Sequence, residues 1–141
     1  MMNKKKKVLF LCYHNSCRSQ MAEGFLKAFF KDKYESFSAG VQPTSVNPYS
    51  VEVMKEIGID ISGQYSKGID EFHDIKFDYV VTVCDNVKEK CPFYNGRKMI
   101  HINFEDPSEL DGDIVDILYE FRKLRDEIKR FVKETFSIEK M

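Results

Sequence analysis

The chain has 141 residues, with 22 lysines and arginines against 23 aspartates and glutamates. That length predicts one compact domain, residues 1–141, and leaves little room for a second. The near-cancelling charge excludes a general nucleic-acid surface, and no stretch approaches the roughly 18 apolar residues of a membrane span. The basic run Lys4–Lys7 resembles the start of a secretory signal, but the apolar run after it gives way at once to His14, Asn15 and Ser16. Four cysteines fall into two pairs, Cys12/Cys17 and Cys84/Cys91. Without a secretory signal they read as thiols of a reducing, cytoplasmic compartment. Neither pair has zinc-type spacing and the three histidines are scattered, so no metal and no organic cofactor is expected.

In chain order, Lys6 to Cys12 is a short apolar run without helical period, predicting a buried strand. Met21, Phe25 and Phe29 recur every four residues with charges between them, predicting an amphipathic helix over Ser19 to Phe30. Glu35 to Ala39 is a second strand, stopped by Gly40. Asn47-Pro48 opens another helix with apolar Val51, Met54 and Ile57, closed by Gly58. Gly58 to Lys76 carries no clear pattern. "FDYVVTVC", Phe77 to Cys84, is an almost continuously apolar, β-branched strand, which implies burial on both faces. "KMIHINF", Lys98 to Phe104, predicts a fourth strand. Ile117, Phe121, Leu124, Ile128 and Phe131 predict one long helix from Asp113 to Phe136.

Strands alternating with helices predict an α/β fold of three layers, a four-stranded parallel sheet flanked by helices. In such folds ligands bind beyond the carboxyl ends of the strands. Cys12, Cys84 and the stretch Glu105-Asp106-Pro107 each follow a strand, so all three fall on that edge. The loop "CYHNSCRS", Cys12 to Ser19, runs from strand into helix. A turn of this kind aims successive backbone N–H groups at one point beside a helix N-terminus and so binds an oxyanion. Arg18 can reach back across the loop to hold two oxygens of a tetrahedral anion. The same field favours the thiolate form of a cysteine at its centre, which places Cys12 for in-line attack.

Cys12-x5-Arg18-Ser19 after an N-terminal strand resembles the active-site loop of the low-molecular-weight tyrosine phosphatase family. "NSCRSQMAEG", Asn15 to Gly24, is similar to its thioredoxin-coupled arsenate reductase branch. "SAG" at Ser38, "NP" at Asn47, "DIS" at Asp60, "VVTVC" at Val80 and "DP" at Asp106 follow in the same order, so the likeness spans nearly the whole chain. The resemblance implies that loop residues Tyr13, His14, Asn15, Ser16, Cys17, Arg18 and Ser19 cradle arsenate, with phosphate or sulfate as competitors. It implies that Asp106 protonates the departing oxygen; from the residues alone a turn-forming Asp-Pro explains it equally well. A monomer is expected.

Phosphatase and reductase diverge after the first attack. Hydrolysis of a phosphocysteine needs no further thiol, whereas reducing As(V) to As(III) needs two electrons that thiols supply by ending as a disulfide. Cys84 and Cys91 match the reductase pattern, and the resemblance implies that Cys84 attacks Cys12, Cys91 attacks Cys84, and thioredoxin reduces the Cys84–Cys91 disulfide. Cys84, ending a buried strand, also reads as a core cysteine. Cys91 lies in polar "DNVKEKCP", where Lys88 and Lys90 favour its thiolate. The resemblance implies that this segment moves between the two cysteines' partners. The aromatic residues that phosphatases of this family carry after Asp-Pro are replaced here by Ser108-Glu109.

Tyr13-His14 stands where many members have Thr-Gly, so a left-handed residue at His14 would be less relaxed than glycine there. His14 and Cys17 read as scaffold, Cys17 also as a partner for an off-pathway disulfide with Cys12. Some members bind potassium under the loop through residues matching Asn15, Glu23 and Ser38 plus an aspartate, whose place is held here by Lys67. The expectation is that Lys67 pairs with Glu23 and replaces the ion.

Overall fold

In a computed structural model the chain is described over residues 4–84 and 96–139. Strands β1 (Lys6–Cys12), β2 (Tyr34–Gly40), β3 (Tyr79–Thr82) and β4 (Lys98–His101) form one parallel sheet in the order β2-β1-β3-β4. Helices α1 (Arg18–Phe30), α2 (Pro48–Glu56) and α3 (Ile114–Glu139) connect or follow them. From β1 the chain goes to β2 on one side, and β3 then takes the other side. The strand order therefore reverses between β1 and β3, where a crevice opens at the carboxyl ends. Cys12 is the last residue of β1 and Cys84 lies two residues beyond β3.

The alternation of β1 sends its side chains into two separate cores. Val8, Phe10 and Cys12 join Met21, Phe25 and Leu26 of α1, Val53 and Met54 of α2, and the inward stripe of α3. Leu9 and Leu11 face the other way, with Ala39, Phe77 and Val80. All three α-helices thus pack over one face. The second cover is thinner: Ile69, Phe72 and Ile75, from the segment without a sequence pattern, lie over Leu9 and Leu11 around a 3-10 turn at Ile69–Phe72. The Phe72 ring meets Phe37 and Phe77 edge-on at 5.3 and 6.0 Å between centroids.

The first strand has the expected bounds, and β3 and β4 are shorter than "FDYVVTVC" and "KMIHINF" predict. Their pairing nevertheless runs on as single bonds: Val83 N–H donates to Leu11 O at 2.8 Å and Ile102 N–H to Thr82 O at 3.0 Å. The sequence marks the apolar run, whereas the strand bounds follow the extent of two-sided ladder pairing. Helix α2 ends as Gly58 foretells. Gly58 N–H donates to Lys55 O and Ile59 N–H to Met54 O, with Gly58 at φ +85°, the left-handed closure that glycine allows without strain. Beyond it, Arg122 of α3 grips Glu56 with Nε and Nη2 at 2.9 and 2.8 Å. The hydrogen-bonded Arg122 guanidinium holds the Glu56 carboxyl below its ordinary range. Among the described residues no helix is long and apolar enough to cross a membrane.

Phe136 fixes the far end of α3. It is fully buried, with its ring edge-on to those of Phe10, Tyr34 and Tyr79 at 6.1, 5.1 and 5.9 Å. Three elements share that contact, so the space left by truncation cannot collapse. Phe136→Ala is expected to destabilise the protein by ~3–5 kcal/mol, read as a lower denaturation midpoint at unchanged slope.

Candidate active site

The loop between β1 and α1 is built by turning its carbonyl oxygens outward. Tyr13 O accepts from Gln42 N–H at 2.9 Å, His14 O from Ser66 Oγ at 3.0 Å, Asn15 O from Gln20 Nε2 at 3.2 Å and Ser16 O from Asn47 N–H at 3.0 Å. In a trans peptide the next residue's N–H points opposite to the carbonyl, and no cis bond occurs among the described residues. The N–H groups of His14, Asn15, Ser16 and Cys17 are therefore turned into the concavity above Cys12, at the N-terminus of α1. That is an anion nest.

The turn needs one left-handed residue, and it is Asn15, at φ +53°, not His14. Asparagine tolerates that region because its short amide bonds locally. His14 instead lies against the Tyr13 ring at 4.9 Å, with Nδ1 3.1 Å from Gln42 O, anchoring the rim. Gly40 explains how the rim fits so closely. A Cβ there would lie 2.7 Å from Tyr13 O and 2.9 Å from Asn15 N, both backbone atoms.

Cys12 Sγ sits 2.9 Å from Ser19 Oγ, and Asn15 Nδ2 donates to that hydroxyl at 2.8 Å. Arg18, the first residue of α1, is 2 % exposed; its Nη1 donates to Phe104 O at 3.1 Å and its Nη2 lies 3.4 Å from Asp106 Oδ2. The structure thus brings Cys12, Arg18 and Asp106 from two distant segments to one crevice. Asp106 also serves as a turn former, since its Oδ1 accepts from Ser108 N–H at 2.9 Å and caps the 3-10 turn Pro107–Glu109. The turn-forming reading of this residue therefore holds, and its second carboxylate oxygen is left facing Arg18.

Cys84 is fully buried, in the same cluster as Cys12 on the neighbouring strand end, with Sγ 3.9 Å from Leu11 O. Cys91 lies outside the described residues. Cys17 is also buried, and loss of water, together with the charge of Asp106, pushes its thiol up to about 12. It therefore keeps its proton at neutral pH and is a poor nucleophile.

Beneath the loop, Glu23 is 4 % exposed and accepts from Ser38 Oγ at 2.5 Å. Lys67 Nζ stands 3.7 Å from Glu23 Oε1 but donates its 2.8 Å hydrogen bond to Tyr65 O. Burial lowers the Lys67 ammonium from its usual value despite the nearby carboxylate. The shortest cation contact to Glu23 is Lys27 Nζ, at 2.6 Å, one turn along α1. Lys27, Gln20 and Gln64 are not singled out as site residues by the sequence. Lys27 had a signal, the i,i+4 spacing from Glu23; Gln64 had none, because its contact joins segments 44 residues apart.

The family model for low molecular weight phosphotyrosine protein phosphatase matches residues 7–140. The chain belongs to that family. Within this phosphatase family, it is 44 % identical over 134 residues to an arsenate reductase of Halalkalibacterium halodurans, covering 94 % of this chain and 96 % of the relative. An arsenate reductase solved in its reduced state superposes with a TM-score of 0.75 at 34 % identity, covering 94 % and 97 % of the two chains. A low molecular weight protein tyrosine phosphatase from T. tengcongensis also gives 0.75, at 29 % identity, over 97 % and 100 %. A thioredoxin-dependent arsenate reductase of Corynebacterium glutamicum gives 0.61 at 28 % identity, over 96 % of this chain and 65 % of the other. Both chemistries thus occur on this fold, and only the residues of the site can choose between them.

Gly40→Ala tests the nest. The added methyl presses on backbone that cannot rotate away, so the loop must shift. Protection of Cys12 from iodoacetamide by inorganic phosphate is expected to require about tenfold more phosphate, the equivalent of about 1.4 kcal/mol, at the lower end of what overpacking costs.

Proposed function

We propose that the chain reduces arsenate to arsenite, with the oxyanion held in the nest and Cys12 as nucleophile. The observation that carries this reading is the placement of a second thiol, Cys84, in the same buried cluster as Cys12 on the adjoining strand end. The phosphatase reaction has no use for it. Arsenate displaces the Asp106 carboxylate from Arg18 and takes over the guanidinium. Asp106, released and protonated, gives its proton to the departing oxygen as the Cys12 sulfur bonds to arsenic. Cys84 then attacks the Cys12 sulfur. The S–As bond breaks, its electron pair stays on arsenic, and arsenite leaves as a Cys12–Cys84 disulfide forms. Cys91 attacks Cys84, frees Cys12 and leaves a Cys84–Cys91 disulfide for thioredoxin to reduce. Phosphate and sulfate compete for the nest, and no metal or organic cofactor takes part. The protein acts as a cytoplasmic, single-domain monomer.

Family membership favours a second reading, hydrolysis through a Cys12 phosphocysteine. The surroundings of Asp106 speak against it as the main activity. The cavity beside it, about 280 Å³, is lined by Glu105, Glu120, Lys123 and Glu127, while the Phe104 ring is turned onto Phe131. Among the described residues this lining offers a phenol no aromatic slot, which leaves only slow turnover of small aryl phosphates.

The relay is tested by NADPH oxidation with arsenate, thioredoxin and thioredoxin reductase. Cys91→Ser is expected to release one arsenite per protein and then stop; equal multiple-turnover rates in variant and wild type sink the relay. Lys67 and Lys27 already supply cations to Glu23, so potassium at equal ionic strength should not raise turnover over sodium. Clear stimulation would mean that the ammonium groups do not replace an ion.

A further inference from the structure

Asn15, Gln20 and Gln64 form a string of amides under the loop, and backbone groups fix which end of each amide is which. Lys67 N–H donates at 2.9 Å to one atom of the Asn15 amide, so that atom is Oδ1. The atom 2.8 Å from Ser19 Oγ is then the NH2, a donor only. The Gln20 amide is fixed likewise: its Nε2 faces the carbonyl oxygens of Asn15 and Tyr65 at 3.2 and 3.0 Å and Asn15 Oδ1 at 2.9 Å. Gln20 Oε1 therefore accepts, and Gln64 Nε2 donates to it at 2.7 Å. Ser19 Oγ, accepting from Asn15, has its own proton free for Cys12 Sγ at 2.9 Å. From Gln64 to Ser19 every link points its donor towards Cys12, and the Ser19 hydroxyl can complete the series by donating to an ionised sulfur, which only accepts.

We propose that Gln20 and Gln64 are positioning residues that hold Cys12 in its ionised form through this one-way string. An ionised sulfur can only accept, so a string that ends in a donor favours it over the thiol. Hydrogen bonds in series at low dielectric polarise one another, and the effect reaches beyond the last link. Gln20 is fully buried, and Gln64 is half-buried on the segment that covers the loop. Neither touches a substrate. Gln64→Glu keeps size and shape but sets an acceptor against an acceptor, whereas packing alone would tolerate it.

The inference rests on Cys12 as the nucleophile, and its test does not use arsenate. Alkylation of Cys12 by iodoacetamide, followed by peptide mass spectrometry, is measured at about pH 6 and about pH 9.5, either side of an ordinary thiol near 8.5. At the lower pH, Gln20→Met is expected to react about fivefold more slowly than wild type, because the Asn15 amide that donates to Ser19 loses its fixed orientation. Gln64→Met should fall about twofold, one link further away, and Gln64→Glu further still. At the higher pH all should converge. Should Gln20→Met not fold, the two Gln64 variants decide alone. Superimposed profiles, or an equal loss at both pH values, overturn the proposal. Such a result in a protein that still turns over arsenate removes the string and leaves the reductase reading intact.

Discussion

The site depends on one constraint, the reversal of the chain at Asn15. A left-handed residue there turns the carbonyl oxygens from Tyr13 to Ser16 outward, onto four different partners, and so turns the N–H groups inward. Because each partner belongs to another segment, the loop is held from several sides at once: the turn after β2, the covering segment near Ser66, helix α1 and the entrance of α2. An anion site made of backbone cannot be tuned by changing its own side chains. What can vary is the scaffold that aims it. This explains why so many polar residues near the loop, Gln20, Ser38 and Glu23 among them, are buried without facing the concavity.

The same arrangement accounts for the buried charge beneath the loop. Glu23 would be costly in this position without partners. It has a hydroxyl from Ser38, the ammonium of Lys27 at the surface and that of Lys67 within. Lys67 then holds the covering segment to the loop twice, through its backbone N–H on Asn15 and its side chain between Glu23 and Tyr65 O. The charge cluster therefore acts chiefly on geometry, since it fixes the peptide that orients the Asn15 amide.

Much of this was legible from local pattern. The run Val8–Leu11, the four-residue spacing in α1 and the long stripe of α3 each predict an element that the structure contains. The edge rule for parallel sheets then brings Cys12, Cys84 and Asp106 to one side, because it needs only strand ends and not contacts. The stretch from Gly58 to Lys76 stayed unread for the opposite reason. Its conformation is set by bonds to residues 44 to 52 positions earlier, Gln64 to Gln20 and Lys67 to Asn15, and its apolar residues merely cap a core already defined by β1 and β3. The left-handed residue is Asn15, one position beyond the His14 at which comparison with glycine raised the question. Comparison with a glycine in relatives marks a tolerated position, whereas the bond from Lys67 N–H selects the residue whose side chain can answer it.

Cys17 shows why the polar scaffold matters to the chemistry. It caps α1, where the helix N-terminus alone should favour a thiolate. Burial nevertheless pushes its thiol up to about 12, because the dipole of a helix does not replace the water removed from a sulfur. Proximity to a helix N-terminus therefore cannot be what distinguishes a reactive cysteine from an inert one in this loop. The two sulfurs differ in their partners. Cys12 has the Ser19 hydroxyl at 2.9 Å, itself held by a fixed amide donor, whereas the hydroxyls of Ser50 and Ser16, the latter at 3.9 Å, do not offset the burial of Cys17. A dry thiol needs oriented donors in place of solvent, and the Ser19 hydroxyl beside Cys12 has such a donor fixed behind it in the Asn15 amide.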